Sequence, residues 1–118
     1  MFRGTTPTIY FHITNEDINF NDIKEAWITL KNKTVEYNFK LSKGRVLTNL
    51  SNKLLFVRLT QEETLSLNED NKAFVQLRLL LNSNVFDRAL ASEINQIDVK
   101  DILKEGVIDL EPPEPPEP

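Results

Sequence analysis

The sequence predicts an all-β protein: an antiparallel β-sandwich with one or two short helical turns. Three observations point there. Apolar and polar residues alternate at period two in segment after segment, as in Ile9, Phe11 and Ile13 set against Thr8, Tyr10 and His12. The alternating segments are short and bounded by runs of Asn, Asp, Ser and Gly, which favour turns. No segment repeats, and roughly six or seven strands with short turns suit two packed sheets. With 118 residues, 40% of them apolar, one domain spanning residues 1–110 can bury a core. Roughly a dozen inward Ile, Leu, Val and Phe side chains, each contributing on the order of 1.5–3 kcal/mol by burial, offset the ordering entropy.

The first strand takes Ile9, Phe11 and Ile13 inward and leaves Tyr10 and His12 outward. Residues 15–22, NEDINFND, form a turn-rich break. Residues 23–30 alternate again, with Ala26, Ile28 and Leu30 inward and Glu25, Trp27 and Thr29 outward. Asn32-Lys33 makes a short connection to a third strand, with Val35, Tyr37, Phe39 and Leu41 inward. The two read as a hairpin, although Asn-Lys sets a tight turn less firmly than Asn-Gly. Residues 42–45 turn, and residues 46–50 are a short strand or a loop. Residues 53–59 are a strand with Leu55, Val57 and Leu59 inward. Thr60 and Glu63 have the spacing of a capping box, so one helical turn starts there, and Leu65 and Leu67 fold onto the core edge.

Residues 72–81 are the longest strand. Ala73, Val75, Leu77, Leu79 and Leu81 form one face; Phe74, Gln76, Arg78 and Leu80 form the other. Residues 82–84 turn. Residues 85–99 are a last strand with a phase conflict, since Ile94 and Ile97 cannot share a face at strict period two; a bulge or register break is expected near Asn95-Gln96. Residues 100–105 read as a helical turn ended by Gly106. The tail, residues 111–118, is EPPEPPEP, an acidic polyproline stretch that is stiff, extended and unable to join a core. It reads as a spacer or solvated end, or more weakly as a PxxP-type ligand at residues 113–116 that lacks the usual basic anchor.

Composition removes several function classes. Net charge is −4, from 14 basic and 18 acidic residues. The positives are scattered, so no nucleic-acid partner is expected. The chain has no cysteine, which excludes disulfides, thiolate metal sites and thiol catalysis. No secretory signal and no bilayer-spanning run is read, so the expectation is synthesis in the cytoplasm and no membrane partner. The glycosylation patterns at Asn32 and Asn49 then carry no meaning. His12 is the only histidine and falls on an outward strand phase, which reads as a surface residue rather than a catalytic base. The acidic groups Glu16-Asp17 with Asp22, and Glu69-Asp70, lack the glycine of a calcium loop and suit turns better. Glycines at 4, 44 and 106 make no phosphate loop. No catalytic residue, metal or cofactor is expected.

The outward aromatics are more informative. Tyr10, Trp27 and Phe74 fall on predicted solvent phases. Such rings serve a protein interface or a sugar-binding face, or are covered by helical turns or the tail.

Three stretches resemble a known pattern: RGTTPT at residues 3–8, LTQEET at residues 59–64, and ILKEGVI at residues 102–108. With Gln76-Leu77-Arg78 in a QxR strand and residues 89–94 as a last strand, the chain resembles a family of small proteins. They are encoded among the structural genes of phages and prophages of Gram-positive bacteria. The resemblance covers residues 3–108. It implies a non-catalytic virion component, tail or baseplate associated, that binds other phage structural proteins. The fold would be Ig-like or like the N-terminal domains of baseplate proteins, and the location the virion tail after synthesis in the bacterial host. Homo-oligomerisation stays open. So do a carbohydrate-binding module for host recognition and a capsid-associated or regulatory phage protein. In this reading Gly4 and Pro7 set the start of an edge strand. Arg3 is left free to anchor to a carboxylate of its own chain or of a neighbour. Arg3, Tyr10, Trp27 and Phe74 are the candidate interface residues.

Overall fold

The computed structural model describes residues 1–33, 35–68, 72–82 and 87–109. Two antiparallel sheets stack on a shared apolar core. The smaller has the order β1-β5-β4, with β1 at Thr8–His12, β4 at Leu47–Asn49 and β5 at Leu54–Arg58. The larger has the order β3-β2-β6-β7, with β2 at Ile23–Lys31, β3 at Glu36–Lys40, β6 at Ala73–Leu81 and β7 at Arg88–Ala91; β8, Asn95–Ile97, also pairs with β6. The one α-helix among the described residues, α1 at Gln61–Leu65, lies between β5 and β6 in the chain.

Period-two patterning explains the core. In β6 every odd residue from Ala73 to Leu81 is buried. Opposite it, β2 buries Ala26, Ile28 and Leu30 completely. The small sheet contributes Ile9, Leu55 and Val57, while Val46, Leu59, Leu67 and Val99 close the ends. β2 and β3 form the expected hairpin, with Ile28 opposite Phe39 and Leu30 opposite Tyr37. Tyr37 stacks on Phe39 at 5.7 Å between ring centroids. Behind the hairpin, the buried Asn32 side chain holds Asn68: its carbonyl accepts from the Asn68 amide at 3.2 Å and its amide donates to the Asn68 carbonyl at 3.3 Å. Residues 46–50 resolve into the short β4.

The last strand is interrupted, as its phase conflict requires, but at a different place. Arg78 pairs with Ala91, and Val75 pairs with Asn95. Three steps along β6 (78 to 75) thus match four steps on the partner (91 to 95), one extra residue. The break lies at residues 92–94, not at Asn95-Gln96, which pair regularly. Ser92 makes the break possible. Its hydroxyl accepts the Leu77 amide at 2.9 Å, standing in for a backbone carbonyl, and its own amide donates to the Leu77 carbonyl at 2.8 Å. Leu90 and Ile97 can then both pack on the core, while Ile94 is 64% exposed.

The helical turn expected at residues 100–105 does not form. Residues 98–100 instead run alongside the first three residues, with a parallel bridge between Phe2 and Lys100. The Arg3 amide donates to the Lys100 carbonyl at 2.9 Å, and the Lys100 amide to the Met1 carbonyl at 2.8 Å. An extended partner satisfies the backbone that a helix would have satisfied internally. The expected turn at residues 83–84, the start of the last strand at 85–86, the Glu69-Asp70 pair and the polyproline tail lie outside the described residues.

Candidate interaction surfaces

The three sequence stretches that carry the resemblance meet at one corner. Gly4 takes φ of +73°, and a Cβ there would sit 3.0 Å from Ile102 Cδ1, so the turn needs glycine both for its backbone and for its neighbour. That turn sends Arg3 across the end of α1. Its guanidinium donates to the Leu67 carbonyl at 2.9 Å and the Leu65 carbonyl at 2.7 Å, two acceptors beside the helix C-terminus. The same group bonds Asp101 at 2.8 Å and also Glu105. The side chain is only 11% exposed. Of the two anchors the sequence leaves open for Arg3, a carboxylate of its own chain or of a neighbour, the structure has the first: Asp101 and Glu105 hold it.

LTQEET is engaged in the same way. Leu59 is core. The Thr60 hydroxyl accepts the Glu63 amide at 3.2 Å, and the Glu63 carboxylate accepts the Thr60 amide at 2.8 Å, a complete capping box. Glu63 also takes both arms of Arg45 at 2.7 and 3.0 Å. Burial works against its ionisation, but the bonds from Arg45 and Thr60 outweigh it and hold the carboxyl below its usual value. The Asp101 carboxyl is lowered too, by the Ile102 amide first and by Arg3. Thr64 is fully buried and donates to the Thr5 carbonyl at 2.8 Å. Gln61 reads the backbone of Ile108 with both ends of its amide, accepting at 2.6 Å and donating at 3.1 Å. We call this corner the clasp.

The aromatic candidates do not share one face. Tyr10 is 65% exposed on the outer face of the small sheet. Register places Phe56 directly opposite it and Leu47 beyond, so Tyr10–Phe56–Leu47 form a row across all three strands. Leu47 is 49% exposed. Trp27 and Phe74 lie on the outer face of the large sheet, on the other side of the sandwich. Tyr10 and Trp27 thus lie on two opposed faces and do not form one aromatic surface. Trp27 is half-buried. Its strand neighbours are Lys40 on β3 and Arg78 on β6. The ammonium lies 4.3 Å and the guanidinium 5.1 Å from the ring centroid. Beside the indole is a groove of about 350 Å³ lined by Trp27, Arg78, Leu80, Ala89 and Ala91, with Glu25 at its margin. The Glu25 carboxylate is turned to the backbone, accepting the Ala26 and Ser42 amides at 3.0 Å each. Phe74 stands apart, opposite Lys31 and Gln96.

Sequence reasoning missed Phe56 and Leu47 as partners of Tyr10. The signal for Phe56 was present, since it holds the outward phase between Leu55 and Val57. Leu47 could be assigned only once β4 was known to pair with β5. His12 is exposed on β1, next to Leu54 in register. Among the described residues no group of three or more His, Asp or Glu side chains could hold a metal ion, and no helix is long and apolar enough to cross a membrane.

No protein-family model matches the chain, and no curated protein matches it. The class that the geometry defines is an all-β, two-sheet protein of sandwich type, closed at one corner by an internal clasp and bearing a ring-centred row on each outer face.

Proposed function

We propose that the protein is a non-catalytic structural component of a phage or prophage virion. It is a tail or baseplate adaptor that binds another virion protein through edge strand β1 and the Tyr10–Phe56–Leu47 row. One observation carries this reading: an edge strand and an exposed apolar row coincide on β1. An unpaired strand edge is a template for another chain, and proteins normally guard it. Here Pro7, which has no amide to donate, stands immediately before β1. Beside that edge, Tyr10 is largely exposed without a core role. A partner strand adding to β1 would gain main-chain hydrogen bonds, and the row would supply side-chain specificity. Tyr is a favoured anchor residue, and Tyr10 ends the row on the edge strand itself. The resemblance of RGTTPT, LTQEET and ILKEGVI to phage structural-region proteins supports the virion setting.

The sugar-binding alternative is less favoured. It needs ring faces that cooperate, whereas Tyr10 and Trp27 sit on opposite outer faces and Trp27 is flanked by two cations. The regulatory alternative differs in where the protein ends up. Mass spectrometry of purified particles from the source phage or induced prophage separates the two. The adaptor reading expects the protein in particles at a fixed ratio to other components. Abundance in the cell with absence from particles would overturn it.

A further inference from the structure

We propose that the groove beside Trp27 is a receptor for acidic polyproline segments, and that its occupant is residues 111–118 of the same chain. The inference concerns the opposite face from the β1 surface and does not depend on the virion reading.

In EPPEPPEP the glutamates stand at 111, 114 and 117. A polyproline II helix has three residues per turn, so every third residue falls on one edge. The segment therefore has one acidic edge and two proline edges. Successive glutamates are about 9.3 Å apart along its axis, from a rise of about 3.1 Å per residue.

The large sheet carries the complement. Lys40, Trp27, Arg78 and Ala91 form one row across β3, β2, β6 and β7. The backbones of Lys40 and Arg78 are separated by two interstrand steps, about 9.6 Å at a spacing of about 4.8 Å. That matches the spacing of successive glutamates. A polyproline segment lying across the strands sets one glutamate at Lys40 and the next at Arg78, the two cations whose charged heads lie against the indole, with the intervening Pro-Pro pair spanning the row between them. The next Pro residue then meets the shallow floor of Ala89 and Ala91, whose small side chains leave the groove open. Both cations contact the Trp27 ring, a contact that leaves their charge without a counter-ion. Among the described residues neither Lys40 nor Arg78 pairs with a carboxylate. Glu25, the one acid at the groove, is engaged with backbone amides. Proline-rich segments commonly bind aromatic grooves with a basic ligand anchor; here the signs are exchanged between ligand and groove.

The attachment point favours the same chain. Ile108 is held by Gln61, on the helix whose Glu63 grips Arg45. The Arg45 amide in turn donates to the Lys40 carbonyl at 3.2 Å. Ile108 is thus tied, through α1 and Arg45, to Lys40 on edge strand β3, where the row begins. Residues 110–118 extended as polyproline II reach about 28 Å. Tethering supplies a high effective concentration, so a weak contact suffices.

Trp27 is the sole tryptophan, which makes its fluorescence a clean reporter in the full chain. The test compares the wild type with Glu111→Gln/Glu114→Gln/Glu117→Gln and with Glu114→Pro/Pro115→Glu. The second variant keeps the composition and breaks the three-residue spacing. Melting temperature and circular dichroism check that all three fold alike. Both variants should show red-shifted Trp27 emission and stronger acrylamide quenching than the wild type. High salt should move the wild type towards the variants. Identical emission and quenching in wild type and glutamine variant would overturn the proposal. Wild-type behaviour of the spacing variant would overturn the row matching. A wild-type signal that grows with protein concentration, with a dimer in sedimentation, would place the tail on a second copy and overturn same-chain docking.

Discussion

The clasp and the Tyr10 row use their side chains in opposite ways. At the clasp, Arg3, Thr60, Gln61, Glu63 and Thr64 all end on partners in their own chain. On the small sheet, Tyr10 and Leu47 are exposed and contribute little to the core. The stretches most recognisable as motifs are therefore architectural. They join the N-terminal preface, α1 and the C-terminal segment, three pieces far apart in sequence that no sheet ladder ties together. The surface available for a partner is made of residues with no motif at all. A short polar motif in a small β protein can mark a closure rather than a site.

The core sets the scale against which both regions are measured. Leu77→Ala should destabilise the protein by about 2–5 kcal/mol, as a truncation at a buried position. Its neighbour Gln76→Ala should cost well under half of that. Chemical denaturation of both variants checks this; equal costs would mean that the two faces of β6 are misassigned.

The clasp comes next, and two glycines isolate it. Gly4 and Gly44 have nearly the same left-handed backbone, φ +73° and +76°. An alanine at either should cost about 1–2 kcal/mol from conformation alone. Gly44 has open space where a Cβ would go, whereas Gly4 faces Ile102 at 3.0 Å and Leu65 at 3.4 Å. Gly4→Ala should therefore be the more destabilising of the two. If the losses are equal, Ile102 yields freely and the clasp is a loose contact.

Acid should open the clasp before the sheets. Glu63 and Asp101 are both held below their usual values in the folded state. A depressed carboxyl stabilises the fold above its unfolded pKa, and that contribution is lost as pH falls through the folded pKa. The loss therefore begins near the ordinary glutamate value of 4.5 and continues below it. Glu63→Gln should lower the melting temperature at neutral pH and flatten its decline on acidification. Parallel curves for wild type and variant would show that the Glu63–Arg45 pair contributes nothing to stability. The largely exposed Asp101 adds less, because water screens its pairing with Arg3.

The sheets were legible because burial at period two leaves a trace at every second residue. Ala26, Ile28, Leu30 and the odd residues of β6 are buried as their phase requires. The capping box was legible because both partners are three residues apart. The clasp was not, since Arg3 meets Asp101 and Glu105 across about a hundred residues and no local pattern encodes such a pairing. The break in the last strand was legible as a conflict between Ile94 and Ile97 but not as a position. Its location depends on a serine hydroxyl replacing a carbonyl, and serine is common in strands and turns alike. Outward phase identified Tyr10, Trp27 and Phe74 as surface residues. It did not say which sheet lay behind each, and that decided that Tyr10 and Trp27 face opposite ways.

The smallest expected effect on stability is the one that bears most on function. Tyr10→Ser removes a ring that is 65% exposed on an edge strand. Substitutions at such sites usually shift stability by no more than about 0.5 kcal/mol. The ring stands opposite Phe56 across the ladder in register, and cross-strand pairs of this kind contribute roughly 0.2–1 kcal/mol. Unfolding should therefore be nearly unchanged, in contrast to Leu77→Ala. Incorporation into particles should fall sharply, because a central aromatic anchor commonly costs about 2 kcal/mol or more when truncated, a loss of tenfold or greater in affinity. Trp27→Ala provides the opposing control. It lies on the other face, so it should leave incorporation intact if β1 and its row are the docking surface. Particles from cells carrying each variant, compared for content of this protein, decide the matter. Normal incorporation of Tyr10→Ser alongside loss for Trp27→Ala would move the docking surface to the large sheet, and the tail would then be competing with a partner for the same row.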